Sequence, residues 1–336
     1  MTDRYSRQIL FPGIGEKGQE KLGNSFAVIV GCGALGTIIA TSLVRAGVGK
    51  MRIIDRDFIE YHNLQRQVLF DEDDIRNELP KAIAAERHLR KVNSTVEIEG
   101  IVADVNFTNI ERLVAGADII LDGLDNFETR FLINDVSLKQ NIPWVYGGAI
   151  ASSGMVKVII PHVTACFRCL IDDVPLPGSV QTCDTDGVIS PAPFIIGSLQ
   201  TAETLKILVG SDQINHDLII IDAWADTFDR VKVSPNTNCP ACQGRYEFLE
   251  GKFEVKATSL CGQNSVQVGN PRQEKISFDE LASRLRPLGK VTGNEFMLRF
   301  IVGKYEMVIF PDGRAIIKNT SDESLARGLY AKYIGT

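Results

Sequence analysis

Short runs rich in valine and isoleucine alternate with stretches of helical period along the first half of the chain. "FAVIV" at 26–30 precedes a periodic segment that predicts a helix near 34–46. "MRIID" at 51–55 precedes one near 80–92, "VEIEGIV" precedes one near 108–115, and "ADIILDGL" closes the series. Strands that are apolar on both faces and separated by helices predict a parallel sheet covered on each side. Beyond it, "PWVYGGAI" and "GMVKVIIP" read as two strands joined by a short Ala/Ser/Gly turn, and "DLIIID" and "DRVKVSP" as a second pair, so the sheet becomes mixed after residue 150. Between the pairs, "LIDDVPLPGSVQTCDTDGVISPAPF" has no periodicity and reads as a long functional or mobile loop, followed by a helix over about 192–209. After "CPACQG" the pattern restarts with a helix at "SFDELASRLRPLG", strands "FMLRFIVG" and "YEMVIFP", the turn "PDGR", another strand and a closing helix. Two domains are expected, 1–250 and a small α+β appendage over 251–336 whose role no motif reveals.

Composition narrows the classes. The chain has 336 residues, 44% of them apolar, enough for ordinary cores in about two domains. A formal net charge of −6, with lysine and arginine dispersed, lacks the footprint of a nucleic-acid binder. No apolar leader core and no membrane-length apolar run occur, so a cytoplasmic protein without membrane association is expected. Its four histidines are scattered and fall in no catalytic motif. Seven cysteines in such a chain argue against a disulfide framework, and four of them form two C-x-x-C pairs. Cys32 and Cys261 read as small buried hydrophobes.

Gly31, Gly33 and Gly36 form G-x-G-x-x-G between a strand and a helix. The first permits a tight turn, the second lets backbone approach phosphate, and the third lets helix pack on strand. Asp55, closing the second strand, is placed to accept from ribose hydroxyls. No G-x-x-x-x-G-K-[ST] loop occurs, so ATP would need its phosphates held another way. A dinucleotide remains open on the glycines and Asp55 alone, which would make the chain an NAD-dependent oxidoreductase. Asn63, Arg66 and Gln67 follow Asp55, with Lys81 beyond. Cationic groups in number suit a triphosphate being cleaved better than a hydride carrier.

The ordered motifs "RYSRQI" at 4–9, "GCGALG" at 31–36, "AGVGKMRIIDRD" at 46–57, "NLQRQ" at 63–67, "LDGLDNFETR" at 121–130, "CFRC" at 166–169, "TCDTDGV" at 182–188 and "CPAC" at 239–242 resemble the ThiF/MoeB/HesA family, bacterial relatives of ubiquitin-activating enzymes, and lie closest to ThiF and MoeB. The resemblance spans about residues 4–245. It implies a Rossmann-like doubly wound α/β sheet and ATP- and magnesium-dependent adenylylation of the C-terminal glycine of a ubiquitin-like sulfur carrier ending in Gly-Gly. It also implies nucleotide contacts from Gly31, Gly33, Ala34, Gly36, Asp55, Asp57, Asn63, Arg66, Lys81, Asp125 and Asn126, with Asp125 on magnesium. Arg7 matches an arginine that reaches into the neighbouring subunit's site, which implies a homodimer. Ala34 departs from the family's usual glycine. Singly, each of these has a plainer reading: a solvated surface charge, or a helix cap at Asp125 and Asn126.

Cys166, Cys169, Cys239 and Cys242 suit a closed tetrahedral zinc site of structural role, which the resemblance reinforces. A redox C-x-x-C is the rival, but such a motif opens a helix, which neither pair is expected to do. Cys183, on the long loop, matches a thiol that some family members use to accept the carrier, beside Asp184 and Asp186 that oppose its ionisation. The appendage carries no rhodanese-type cysteine loop. The leading expectation is a sulfur-carrier adenylyltransferase, acting on a ThiS-like carrier of thiamine synthesis first and a MoaD-like carrier of molybdenum cofactor synthesis next, with a cysteine desulfurase as a further partner. The competing classes are the oxidoreductase and a non-catalytic scaffold that binds the carrier.

Overall fold

The computed structural model describes residues 3–174, 186–252, 257–260, 264–269 and 276–334. The chain divides into two compact units, Met1–Lys252 and Phe253–Thr336.

The first unit is built on an eight-stranded sheet ordered β3-β2-β1-β4-β5-β6-β7-β8. Here β1 is Phe26–Val30, β2 Lys50–Asp55, β3 Glu97–Val102, β4 Ile119–Asp122, β5 Trp144–Ile150, β6 Ser153–Ile159, β7 Leu218–Asp222 and β8 Thr227–Val231. Strands β3 to β5 pair in parallel, and from β5 onward every pairing is antiparallel. The mixed sheet expected from the apolar runs is therefore present. The centre is dry: Ala27, Val28 and Ile29 of β1 and Ile119, Ile120 and Leu121 of β4 have no exposed surface. The helix Ala34–Ala46 packs against Pro191–Val209, where Gly197 lies close to Ile38 and Leu35. Beyond β1 the strand order reverses direction between β1 and β4, the switch point at which a doubly wound sheet opens a crevice above its carboxyl ends.

Two expectations need correction. The helix near 108–115 is shorter, Ile110–Val114, because Asn106 and Asn109 use their side chains to shape a turn across the residues before it. The helix Gly15–Asn24 was not anticipated, since three glycines and a sparse apolar face conceal it.

The second unit is a six-stranded antiparallel sheet ordered β11-β12-β13-β14-β10-β9 with helices Phe278–Leu285 and Glu323–Tyr333. Its strands are β9 Ala257–Leu260, β10 Ser265–Val268, β11 Lys290–Gly293, β12 Leu298–Val302, β13 Tyr305–Ile309 and β14 Ala315–Lys318. Leu281, Leu285, Phe300, Met307, Ile309, Ile317 and Tyr330 form its core. Cys261 lies outside the described residues.

Candidate active site

The glycine loop leaves β1 at the switch point. Gly31 takes φ +90°, and a methyl group on it would run into the Gly123 backbone of the loop after β4. A methyl on Gly36 would overlap the Gly31 carbonyl oxygen, so these two glycines are demanded by the protein itself. Gly33 is different. A Cβ there would stand 3.7 Å from Gly123 O and 3.9 Å from Gln67 Nε2, ordinary contact distances. No neighbouring atom of the chain would crowd a side chain there, so the backbone is left bare toward the crevice. Gly33 also heads the helix Ala34–Ala46 with no side-chain cap, so the first amides of a thirteen-residue helix point unclaimed into the crevice. That is an anion cradle. Ala34 begins this helix without disturbing it.

Asp55 ends β2 almost fully buried. Its Oδ2 accepts the Cys32 N–H at 2.6 Å and its Oδ1 the Asp57 N–H at 2.7 Å, so the carboxylate registers the glycine loop against β2. Burial pushes its pKa up against the opposing pull of Lys81. A carboxylate has about four lone-pair positions, which leaves room for ribose hydroxyls as well. Lys81 opens the helix Lys81–Val92, buried, with Nζ 3.2 Å from Asp57 Oδ2 and its N–H bonded to Asp57 O. Burial works against its charge, but Asp57, Asp55 and Asp125 outweigh it and hold the ammonium form. Asn63 is buried, and its Oδ1 accepts the Glu60 N–H in a reciprocal capping box that shapes the turn Tyr61–Asn63. Arg66 Nη1 donates to His62 O at 2.9 Å.

Asp125 stands exposed on the loop after β4, within electrostatic reach of Lys81 and Arg56. Asn126, not Asp125, caps the following helix Phe127–Gln140, accepting from the Thr129 N–H. Sequence reasoning missed what holds this loop. Buried Asp122 accepts the Leu124 N–H and pairs with Arg130 Nε at 2.9 Å. Arg130 Nη2 in turn donates to Leu124 O at 2.6 Å and Gly147 O at 3.0 Å. Gln200 Nε2 donates to Asp122 O and Val145 O, tying the same corner to the helix Pro191–Val209. Both Asp122 and Arg130 lie inside the motif "LDGLDNFETR", but their eight-residue spacing carries no local signal of a bond. Gln67, which the sequence places in the same run as Asn63 and Arg66, is given no partner by that run. It is 4% exposed, and its buried Oε1 has no hydrogen-bond partner. An unsatisfied buried amide costs about 1–3 kcal/mol.

Arg7 lies elsewhere. It is exposed on the short helix Ser6–Ile9, which Gln8 anchors to Ala46 O. Ala46 is the far end of the helix whose first residue adjoins the cradle, roughly 20 Å away for thirteen residues. Arg7 therefore does not join the cradle of its own chain. Cys183 lies outside the described residues.

The four cysteines of the two pairs do converge, their sulfurs all within 4.8 Å of one another. Sγ separations are 3.7 Å for Cys166–Cys169, 3.6 Å for Cys166–Cys239, and 3.5 Å for both Cys169–Cys242 and Cys166–Cys242. Sulfurs about 2.3 Å from a tetrahedral centre stand about 3.8 Å apart, whereas a disulfide needs about 2.05 Å. The donor set and spacing fit zinc. Asn236 N–H points at Cys169 Sγ at 3.3 Å, the kind of outer hydrogen bond that steadies a thiolate ligand. The hydrogen bond from Cys166 holds the Cys239 thiol down at about 5, and Cys166 itself is pushed up. One expectation is corrected: Cys166 does open a helix, the single turn Phe167–Leu170, because one helical turn brings residues three apart to the same side. The other acid–histidine group among the described residues, Asp71, Asp74 and His88, is satisfied internally, with Asp74 on His88 and Asp71 on the amides of Asp73 and Asp74. No helix among the described residues is long and apolar enough to cross a membrane.

Comparison with known proteins agrees with this geometry. A protein of Bacillus subtilis named sulfur carrier protein ThiS adenylyltransferase is 43% identical over 339 residues, covering 100% of each chain. The SAMP-activating enzyme E1 of Haloferax volcanii is 38% identical, covering 77% of this chain and 95% of its own. The crystal structure of E. coli MccB with ATP matches at a TM-score of 0.63 and 26% identity, over 72% of this chain and 75% of that one. The family match runs over residues 5–241, the span that contains the glycine loop, the Asp55–Lys81 cluster and three of the four paired cysteines, and the chain belongs to the ThiF family.

Proposed function

We propose that the protein adenylylates the C-terminal carboxylate of a ubiquitin-like sulfur carrier at the expense of ATP, and that the carrier is ThiS-like rather than MoaD-like. The observation that carries this is the full-length likeness to a ThiS adenylyltransferase together with an anion cradle flanked by a buried lysine. In this reading Asp55 holds the ribose, and the Gly31–Gly36 loop with Ala34 lies against the phosphates. Asn63, Arg66 and Lys81 contact the nucleotide, and Asp57 keeps Lys81 charged. Asp125, with Asn126 beside it, would hold the magnesium, and the ion would supply charge neutralisation for the pyrophosphate.

The carrier's terminal carboxyl, of ordinary pKa about 3.5, is ionised at neutral pH and needs no general base. Its oxygen bonds to the α-phosphorus while the bond from that phosphorus to the β-phosphate oxygen breaks, the electron pair leaving with pyrophosphate. The barrier is the meeting of two anions, so catalysis consists of alignment and fixed positive charge. Lys81, whose charge the surrounding carboxylates guarantee, supplies it without reorganisation. Arg7, some 20 Å from the cradle of its own chain by helix length, acts in the site of a second copy, which makes the enzyme a homodimer. Exposed Leu10 and Phe11 next to it give that contact an apolar surface. Zinc on Cys166, Cys169, Cys239 and Cys242 fixes the end of the unit, and Cys183 serves any later sulfur transfer from a cysteine desulfurase. The cytoplasm, where ATP and the carriers are found, is the expected compartment.

The test is pyrophosphate exchange into ATP with purified ThiS-like and MoaD-like carriers in turn. Exchange with the ThiS-like protein is expected. Exchange with the MoaD-like protein alone would reassign the carrier, and exchange with neither would overturn the reading.

A further inference from the structure

Five cationic side chains are buried among the described residues, and four of them face a carboxylate: Lys81 with Asp57, Arg130 with Asp122, Arg168 with Glu247 and Arg314 with Asp312. The fifth, Lys157 of β6, does not. It is 1% exposed, its Nζ donates to His216 O at 2.5 Å, and no carboxylate of the described residues stands within ion-pair distance of it. An ammonium taken out of water needs a compensating negative charge, which one carbonyl oxygen does not supply. Its place in the sheet follows from register. Lys157 pairs with Tyr146 and Ile159 with Trp144 across β5 and β6, so the four side chains stand on one face. That face is covered by Phe167, whose ring centroid lies 5.0 Å from that of Tyr146 and 5.5 Å from that of Trp144. Phe167 begins the helical turn that Cys166 precedes and that contains Cys169. Lys157 is thus on the sheet face against which the first cysteine pair packs. Burial pushes its pKa down, and the groups whose negative charge opposes that push are Asp217 and Cys169.

Resting on the reading of zinc at the four cysteines, we infer that Lys157 is the counter-charge of that site, its ammonium offsetting the negative charge of the zinc-bound thiolates and so tightening the chain's hold on the metal. Four thiolates on a divalent zinc leave an excess of about two negative charges. Arg168, in the same turn, is committed to Glu247 and to Asp172 O, and the Asn236 N–H brings only a partial charge to Cys169 Sγ. Lys157 is the buried cation without another obligation. The benefit is reciprocal: the thiolates supply the charge that Lys157 lacks elsewhere, and Lys157 favours the ionised thiolates that hold zinc. The role concerns retention of the metal and touches neither nucleotide nor carrier.

The experiment challenges the zinc-loaded full chain with a chromophoric chelator and reads the zinc affinity of wild type, Lys157→Met, Lys157→Gln and Lys157→Arg. Lys157→Met is neutral and similar in length, and Lys157→Gln is neutral but still carries a donor for His216 O. Both are expected to hold zinc roughly ten- to a hundredfold more weakly. Lys157→Arg keeps the charge and is expected to stay close to wild type. Wild-type zinc affinity in either neutral variant would overturn the inference. So would an arginine variant that loses as much as the neutral ones, since Lys157 would then act by its fit and not by its charge. If thermal unfolding finds Lys157→Met unfolded, Lys157→Gln against Lys157→Arg carries the same decision. A wild type that holds no zinc, or holds it after the four cysteines are replaced, would instead overturn the zinc reading on which the inference rests.

Discussion

The crevice and the cysteine cluster are built from the same materials in opposite ways. At the cluster, each sulfur faces other sulfurs at 3.5–3.7 Å and the Asn236 N–H donates to Cys169 Sγ from outside. At the crevice the helix start is uncapped, Gly33 is bare and Gln67 is unsatisfied. The cluster's thiols answer one another, which serves stability, whereas the amides at the helix start over the crevice are left for a ligand. The contrast makes separate claims about stability and binding, and each can be attacked.

The largest effect belongs to the closed region. Chelation of zinc, or Cys239→Ser, should cost on the order of 5 kcal/mol or more of stability, because a structural zinc contributes directly to folding. Denaturation with and without chelator measures it. An unchanged curve, or metal analysis well below one zinc per chain, would remove the distinction between the two regions.

Next comes the buried pair beneath the crevice. Arg130→Ala removes the counter-ion of fully buried Asp122 and should cost about 3–5 kcal/mol. It should also weaken magnesium-dependent exchange, since the Leu124 carbonyl that precedes Asp125 loses its anchor. Stability is read by denaturant titration, and exchange against magnesium concentration reads the second part.

The glycines sharpen the comparison within a single loop. Gly36→Ala should cost about 3 kcal/mol through overlap with Gly31 O. Gly33→Ala should change stability by less than about 1 kcal/mol yet weaken ATP binding tenfold or more. Equal effects on stability would show that Gly33 serves the fold after all.

The smallest effect concerns Asp135, fully buried and raised to about 6 by burial, with its Oδ2 accepting the N–H groups of Phe248 and Leu249. A carboxyl whose folded pKa exceeds its unfolded value near 3.9 holds its proton more tightly when folded. Its contribution is present below about pH 4 and declines as pH rises to about 6. Asp135→Asn keeps an acceptor for both amides and should flatten that decline, a difference of at most about 3 kcal/mol. Stability of the two proteins measured across pH 4–7 decides it.

Much of this was legible in the chain. The Val/Ile runs of β1, β2 and β4 and the helix between Gly33 and Gly47 follow from local period and punctuation, and the motifs carry Asp55, Lys81 and the cysteines. The strands β9 to β11 were hidden, being four residues each with mixed polarity such as "KVTG". The Asp122–Arg130 pair and the loneliness of Gln67 were hidden for another reason. Whether a polar side chain is answered depends on what the fold places opposite it, and no spacing rule encodes that.

The two cysteine pairs are separated by 73 residues. On the ribosome, at about 5–20 residues per second, the second pair follows the first by roughly 4–15 s. Through that interval Cys166 and Cys169 form half a site, able to hold a soft metal ion by two thiolates or to be oxidised to each other. With zinc at this cluster as proposed, cells short of zinc or under oxidative stress should lose newly made protein while sparing the mature pool, an age-dependent vulnerability written into the order in which the cysteines emerge.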